Sequence, residues 1–196
     1  MLNPFVTYTK LSDETLMQRL QKGDNKALEV VYQRYYTKLL YFSIKMLNNN
    51  RETASDITQD VFLKLIETPE KFNTSKNFKS WIYAVTANQC RKIHRLIPTQ
   101  NIEEKNLELT DQKIEIERDL SLFMKDLDRQ LENVSDRHKE AFILKYNENF
   151  TLLEIAQVQD CPVGTVKSRL HYTLQFLSQQ LTIHKNTLNT SGYERI

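Results

Sequence analysis

Between Leu28 and Met46 the large residues Leu28, Tyr32, Tyr35, Leu39, Phe42 and Met46 recur at steps of three and four, the period of one helix face. A half-buried strand would alternate every second residue, so this segment requires a long amphipathic helix. Asp24 stands where its N-cap belongs, and "LNNN" at 47–50 ends it, because consecutive asparagines favour turns and left-handed caps. Nothing else in the chain offers a competing architecture: its 196 residues include 3 Gly and 4 Pro, too few to turn the strands of a β sandwich or barrel. An all-α fold is expected, with room for one large domain or two small ones.

Further helices follow from the same signals. Ser12, followed by Asp13 and Glu14, starts a short helix that Gly23 stops. A helix over about 52–67 places Ala54, Ile57, Val61 and Leu65 on one stripe; its other side carries Asp56, Gln59 and Asp60, with Leu63 among them. After the loop "TPEKFNTSKN" comes a helix from 78 to 95, with Trp81, Ile82, Val85 and Ile93 on one side and Tyr83, Ala87, Asn88, Arg91 and His94 turned the other way. The acidic stretch from 96 to 118 contains Pro98 and shows no sustained period, so it reads as a flexible linker. Helical spacing resumes at Leu120, Phe123, Leu127, Leu131 and Val134, and Ser135 is placed to cap a helix over 136–147 that "NEN" breaks. The organisation expected is a helical domain at 1–95, a linker at 96–118, a second helical domain at 119–180 and a polar tail at 181–196.

Thr151 and Glu154 form a T-x-x-E capping box, so a short helix starts there and runs to about Gln159. Asp160 and Cys161 make the turn, and Pro162 suits the first turn of a second helix, where its missing N–H does no harm. Two short helices joined by a tight turn form a helix-turn-helix outline. A phosphate-cradling loop would need more glycine and a preceding strand. Rotating the second helix gathers Val163, Val166, Leu170, Leu174 and Leu177 into a buried arc. Thr165, Ser168, Tyr172 and Gln175 centre on the opposite face, with Gly164 and His171 to one side and Lys167 and Arg169 flanking. Small residues at its nose allow approach to a groove floor, and flanking cations can grip phosphates. The same pattern also suits an ordinary amphipathic helix pair, so the spacing leaves both readings open.

Charge and rare residues narrow the function. Residues 1–95 carry 15 Lys/Arg against 9 Asp/Glu, a surplus of six cations, whereas 119–180 carry 7 against 9. The basic half is therefore the N-terminal one. Cys90 and Cys161 lie far apart without a CxxC or a nearby His pair, so no metal site is expected; both read as reduced, buried and inert thiols. His94, His138, His171 and His184 are scattered, and neither a catalytic triad nor a nucleotide loop appears, so neither catalytic residues nor cofactors are expected. The start of the chain has no secretion signal, and no run of about eighteen apolar residues exists to span a membrane; a cytoplasmic protein is expected.

Three segments carry a family resemblance. "LLEIAQVQDCPVGTVKSRL" at 152–170 is similar to the region 4 helix-turn-helix of bacterial sigma-70 family sigma factors, and "PVGTVKSRL" is typical of their extracytoplasmic-function (ECF) group. "DITQDVF" at 56–62 resembles region 2.2, and "SWIYAVTANQCRKIHR" at 80–95 resembles regions 2.3 and 2.4. The linker is too short for the region 3 domain of larger sigma factors, which again points to the ECF group.

The resemblance implies a region 2 bundle and a four-helix region 4 domain, and assigns roles by position. Asp56, Gln59, Asp60 and Leu63 would dock on the β′ coiled coil of core RNA polymerase, with the β flap as a further contact. Lys76, Lys79, Asn88, Arg91, Lys92 and Arg95 would handle the minus-10 element, Asn88 near a flipped base, Arg91, Lys92 and Arg95 on phosphates, and the loop 72–79 with Lys76 and Lys79 as the pocket wall; a base pocket needs such an amide or an aromatic ring. Trp81 matches an aromatic used nearby in relatives, yet it falls on the core side and reads as packing. Lys167, Ser168, His171 and Tyr172 would meet minus-35 duplex DNA, with Thr165 and Arg169 on its backbone. An anti-sigma factor is an implied partner.

The departures are specific. Tyr172 and Leu174 stand where relatives commonly carry arginine, and Ala84 stands where "YRIA" is common. Fewer phosphate contacts mean weaker binding and a smaller salt slope. Two other functions compete: a dimeric helix-turn-helix regulator independent of polymerase, and a single-strand-binding module built on residues 72–95.

Overall fold

The computed structural model describes residues 8–96 and 114–181, with side chains from Ser121 onward in the second span. The expected linker core at 97–113 and nearly all of the tail, with His184, lie outside the described residues. Among the described residues eight α-helices have bounds that can be given: α1 Asp13–Leu20, α2 Asn25–Met46, α3 Arg51–Glu67, α4 Phe78–Leu96, α5 Ile114–Leu131, α6 Asp136–Tyr146, α7 Leu152–Gln159 and α8 Val163–Gln180. A single 3-10 turn, Pro69–Lys71, interrupts the loop between α3 and α4.

The helix boundaries are set by side chains the sequence makes visible. Ser12, Asp24 and Asn50 each accept a backbone N–H at the start of α1, α2 and α3. Gly23, at φ +85°, occupies the left-handed conformation that reverses the chain between α1 and α2. Asn48 and Asn49 do the same after α2, at φ 53° and 63°. The loop before α4 is tied down from α1: Gln21 Nε2 donates to the carbonyls of Pro69 (2.9 Å) and Phe72 (2.8 Å), and Glu14 Oε1 accepts from Phe78 N (3.1 Å). In this way a residue near the start of the chain fixes where α4 begins.

In α2, Tyr35, Leu39, Phe42 and Met46 are buried as their period requires, while Tyr32 stays on the surface. On α3 the stripe Ala54, Ile57, Val61 and Leu65 is buried. Trp81 packs its ring against Phe72 and Phe78, with centroids 5.2 and 5.9 Å away, in agreement with a packing role.

Four expectations change. Helix α5 begins at Ile114, inside the stretch read as linker. Leu174 is exposed, and Thr173 takes its place in the buried arc of α8 with Val166, Leu170 and Leu177. These four positions run at steps of four, three and four, a stripe centred slightly to one side of the one drawn from the leucines. Pro162 is the N-cap residue of α8 instead of lying within its first turn.

The largest difference concerns α4. Its second face is buried too: Tyr83 is 1 % exposed and Ala87 is fully covered. Helices α1–α4 form an N-terminal unit, α5–α8 a C-terminal unit, and α7 packs along α4 while α6 packs between α8 and α2. One hydrophobic cluster consequently runs through both, joining Phe42, Tyr83 and Cys90 to Ile143, Phe150, Ile155 and Val166. A smaller cluster of Leu131, Val134, Phe142 and Leu177 belongs to the C-terminal unit alone. A helix covered on all sides, as α6 is from Lys139 to Leu144, sits at the centre of such an arrangement.

Candidate functional site

On α3 the residues Asp56, Gln59, Asp60 and Leu63 are all exposed, on the side away from the buried stripe. Leu63 is 53 % exposed and Ile66, one turn on, 50 %. Tyr32 of α2 extends the patch, its ring 4.7 Å from Tyr36 and 4.9 Å from Phe62. Ile66 and Tyr32 are additions to the sequence reading. Ile66 was legible as the residue three after Leu63; Tyr32 was hidden because its spacing matched the core face of α2. An apolar centre rimmed by acids and an amide is suited to binding a protein surface.

The expected minus-10 residues divide into two groups. Lys76, Asn88, Lys92 and Arg95 are exposed. Lys79 and Arg91 are instead engaged by the C-terminal unit. Lys79 Nζ lies 3.8 Å from the centre of the Phe150 ring, a cation–π contact, and Arg91 pairs with Glu140 of α6 while donating to Asn88 Oδ1. Glu140 is fully buried in this pair and the Arg91 side chain only 11 % exposed.

More contacts cross the same seam. His94 Nδ1 lies 2.8 Å from Asp136 Oδ1, and Tyr83 O–H donates to Glu148 Oε2 at 2.5 Å. Lys139 Nζ donates to Asn48 Oδ1 at 2.5 Å, and Lys45 pairs with Asp128. The electrostatics respond to burial. The hydrogen bond to His94 holds the Asp136 carboxyl below the usual range, whereas burial pushes that of Glu140 up against the pull of Arg91 and Arg137. Burial pulls the Lys139 ammonium down to about 8 and raises the Tyr83 phenol, the latter helped by Glu148. Beside α4's exposed cations, Arg137 and Asp136 at the start of α6 complete an open, mostly basic cleft with Asn88, Lys92 and Arg95.

The helix-turn-helix takes the expected form. Thr151 and Glu154 make both bonds of the capping box, and Asp160, at φ 48°, turns the chain between α7 and α8. Lys167, Ser168, His171 and Tyr172 are exposed on α8, and Thr165 is half-buried near its start. The Tyr172 ring lies 5.0 Å from that of His138, and Ser168 Oγ donates to the Thr165 carbonyl at 2.9 Å. Arg169 turns inward: its Nη1 donates to Gln159 Oε1 at 2.6 Å and lies 3.5 Å from Cys161 Sγ, while Gln159 Nε2 donates to the Arg137 carbonyl at 2.8 Å. Arg169 therefore braces the turn between the two helices.

Among the described residues no group of three or more His, Cys, Asp and Glu side chains could hold a metal ion, and no helix is long and apolar enough to cross a membrane. Cys90 is fully buried as expected, and burial pushes its thiol up to about 12, whereas Cys161, expected to be buried too, is partly exposed in the turn before α8.

Residues 31–95 match the model of Sigma-70 region 2 and residues 124–177 that of Sigma-70, region 4. The chain is 26% identical to the ECF RNA polymerase sigma-E factor of Haemophilus influenzae over 88% of its length and 96% of that protein. It is 25% identical to the ECF RNA polymerase sigma factor SigW of Bacillus subtilis, over 84% and 94%, and 28% identical to the sigma-E factor of Escherichia coli K12, over 82% and 90%. Its fold is similar to that of CnrH in complex with the cytosolic domain of CnrY (TM-score 0.67, 18% identity, 87% of this chain and 97% of that one). It is also similar to RpoE of Bartonella quintana in complex with the anti-sigma factor NepR (TM-score 0.62, 21% identity, 81% and 98%). With regions 2 and 4 matched in chain order across more than half of its residues, and with ECF relatives aligned along nearly their whole length, the chain belongs to the sigma-70 family of RNA polymerase sigma factors, in the ECF group.

Proposed function

We propose that this chain is a dissociable specificity subunit that binds core RNA polymerase in the cytoplasm, selects promoters and melts them, without catalytic chemistry of its own. The observation that carries the reading is the coexistence in one chain of a protein-binding face on α3, a basic surface on α4 and a helix-turn-helix whose outer face is polar and exposed. The α3 patch of Asp56, Gln59, Asp60 and Leu63, with Ile66 and Tyr32, docks on the β′ coiled coil, and the C-terminal unit reaches the β flap. Asn88 lies where it can hydrogen-bond an unstacked base of the minus-10 element, while Lys76, Lys79, Arg91, Lys92 and Arg95 neutralise strand phosphates. Lys167, Ser168, His171 and Tyr172 face the minus-35 major groove, with Thr165 at the backbone. A base-edge contact of this kind discriminates by about 1–3 kcal/mol. An anti-sigma factor is a partner by analogy with the complex of RpoE with the anti-sigma factor NepR.

Run-off transcription with purified core polymerase, followed by sequencing of the start sites selected from genomic DNA, tests the proposal. Transcripts from promoters sharing minus-35 and minus-10 elements are expected. A chain that adds no specificity to core polymerase, yet binds a symmetric duplex site alone, would be a conventional regulator; tight sequence-tolerant binding to single strands alone would mark a single-strand-binding module.

A further inference from the structure

We infer that Gln21 and Glu14 are positioning residues for minus-10 recognition: from α1 they hold in place the loop that walls the base pocket. The inference rests on the function proposed above. Both residues precede 31–95, the span matched by the region 2 model, and neither is among the residues assigned to DNA.

The loop between α3 and α4 has little burial of its own to fix it. Of residues 70–77 only Phe72 is buried, its ring 5.1 Å from that of Phe78 and 5.2 Å from that of Trp81, while Asn73, Ser75, Lys76 and Asn77 are exposed. The shape of the tip is set locally. Asn73 Oδ1 accepts from Ser75 N (3.0 Å) and Ser75 Oγ (2.7 Å), and Lys76 N donates to the Asn73 carbonyl (2.9 Å). Asn77 Oδ1 accepts from Ser80 N (2.7 Å) and so caps α4. These bonds reach no more than three residues along the chain, so they give the loop a form without giving it a place.

Its place comes from α1. The Gln21 amide donates to the carbonyls of Pro69 and Phe72, on either side of the 3-10 turn, and Glu14 accepts from Phe78 N where the loop gives way to α4. Residues 73–77, Lys76 among them, therefore bridge two points held by one helix. Helix α1 is itself well fixed. Leu16, Met17 and Leu20 are buried beneath it, and at its start both Arg34 and Tyr35 of α2 bond Asp13. Arg34 also donates to the carbonyls of Thr9 and Leu11, at 2.6 and 2.9 Å. One continuous frame thus runs from α2 through α1 to the loop.

A pocket for a flipped base gains from this frame in two ways. Unstacking the base and ordering the wall both oppose capture, and a wall already in position removes the second cost. Discrimination between bases depends on hydrogen-bond geometry, which weakens steeply with small displacements, whereas a flexible lysine can follow a phosphate. Loss of the brace should therefore erode the choice of base more than the general hold on the strand.

The test is single-round run-off transcription by the full-length chain with core polymerase. Templates are the selected promoter and a set in which each minus-10 and minus-35 base is replaced in turn by the other three. Gln21→Ala removes both loop bonds, and Gln21→Glu keeps the size but turns a carboxylate, which only accepts, toward two carbonyl oxygens. Glu14→Gln keeps an acceptor oxygen for Phe78 N and is the conservative counterpart of Glu14→Ala. The wild type is expected to favour one base at the captured minus-10 position by about tenfold or more, and Gln21→Ala, Gln21→Glu and Glu14→Ala to retain about threefold or less. Their minus-35 preferences should stay within about twofold of wild type, and Glu14→Gln should keep the wild-type preference at both elements. Instability lowers run-off from every template alike, so the ratio between templates does not depend on the folded fraction, which Trp81 fluorescence reports. Should Gln21→Ala fail to fold, Gln21→Glu and Glu14→Ala decide by the same ratio. Run-off that falls equally on all templates, with base preference intact, would leave these residues a structural role alone and overturn the inference. Absence of promoter-specific run-off from the wild type would instead remove the function on which the brace rests.

Discussion

Replacement of Phe150 by alanine should be felt in the N-terminal unit, although Phe150 lies in the C-terminal one. Its ring is 1 % exposed, and deleting a buried phenyl ring ordinarily costs about 3–5 kcal/mol. Part of that acts across the seam. The edge-to-face pair with Tyr83, at 4.9 Å and 66°, contributes about 0.5–1.5 kcal/mol, and the cation–π contact with Lys79 about 0.5–1 kcal/mol. Roughly 1–2.5 kcal/mol is therefore shared between the units, as a lower bound if they unfold together. Trp81, the chain's one tryptophan, packs on Phe72 and Phe78 and so reports on the N-terminal unit. In urea, with a slope of about 2 kcal/mol per molar, the Trp81 fluorescence midpoint should fall by about 0.5–1.2 M in Phe150→Ala. The far-UV circular dichroism midpoint, dominated by the helices of both units, should fall at least as far. A lowered dichroism midpoint with an unmoved Trp81 midpoint would mean that the units unfold independently, and the shared seam would have to be abandoned.

Other expectations are more local. Leu63→Asp combined with Asp56→Lys reverses the character of the exposed α3 patch without touching the buried stripe, and should abolish co-purification with core polymerase at unchanged helicity; normal holoenzyme formation would move the docking face elsewhere. Asn88→Ala should impair open-complex formation, read by permanganate footprinting, more than closed-complex binding, and equal losses would argue against base capture. At pH 8 a thiol raised to about 12 is almost wholly protonated, so Cys90 should resist a disulfide reagent until denaturant is added, whereas partly exposed Cys161 should react in the native chain. Two thiols reacting at one rapid rate would refute the burial of Cys90.

Most of this architecture is written in local signals. Ser12, Asp24, Asn50 and the Thr151–Glu154 box mark helix starts because a cap needs only its own next three residues. The α3 patch was legible because Leu63 breaks an otherwise polar face. The seam was harder to read, since Arg91 and Glu140 are 49 residues apart and no period links them. A signal did exist: Ile82, Tyr83, Ala87 and Cys90 leave α4 apolar over more than one stripe, as a helix covered on two sides must be. What the pattern could not supply was the identity of the cover. Leu174 failed for another reason, since hydrophobicity alone favours a leucine over Thr173, whose hydroxyl is satisfied within the helix by the Arg169 carbonyl at 2.8 Å.

The inward turn of Arg169 divides the reading helix into residues free to evolve and one that is not. Lys167, Ser168, His171 and Tyr172 are exposed, Tyr172 beside the His138 ring and Ser168 bonded to the Thr165 carbonyl, so exchange at these positions of the proposed minus-35 surface should cost little stability. Arg169 sets the angle at which those side chains leave the surface, by holding Gln159 and the Asp160 turn. Under the proposed function, new specificities would be reached by changing the letters around Arg169, while the guanidinium keeps the frame in which any of them is presented.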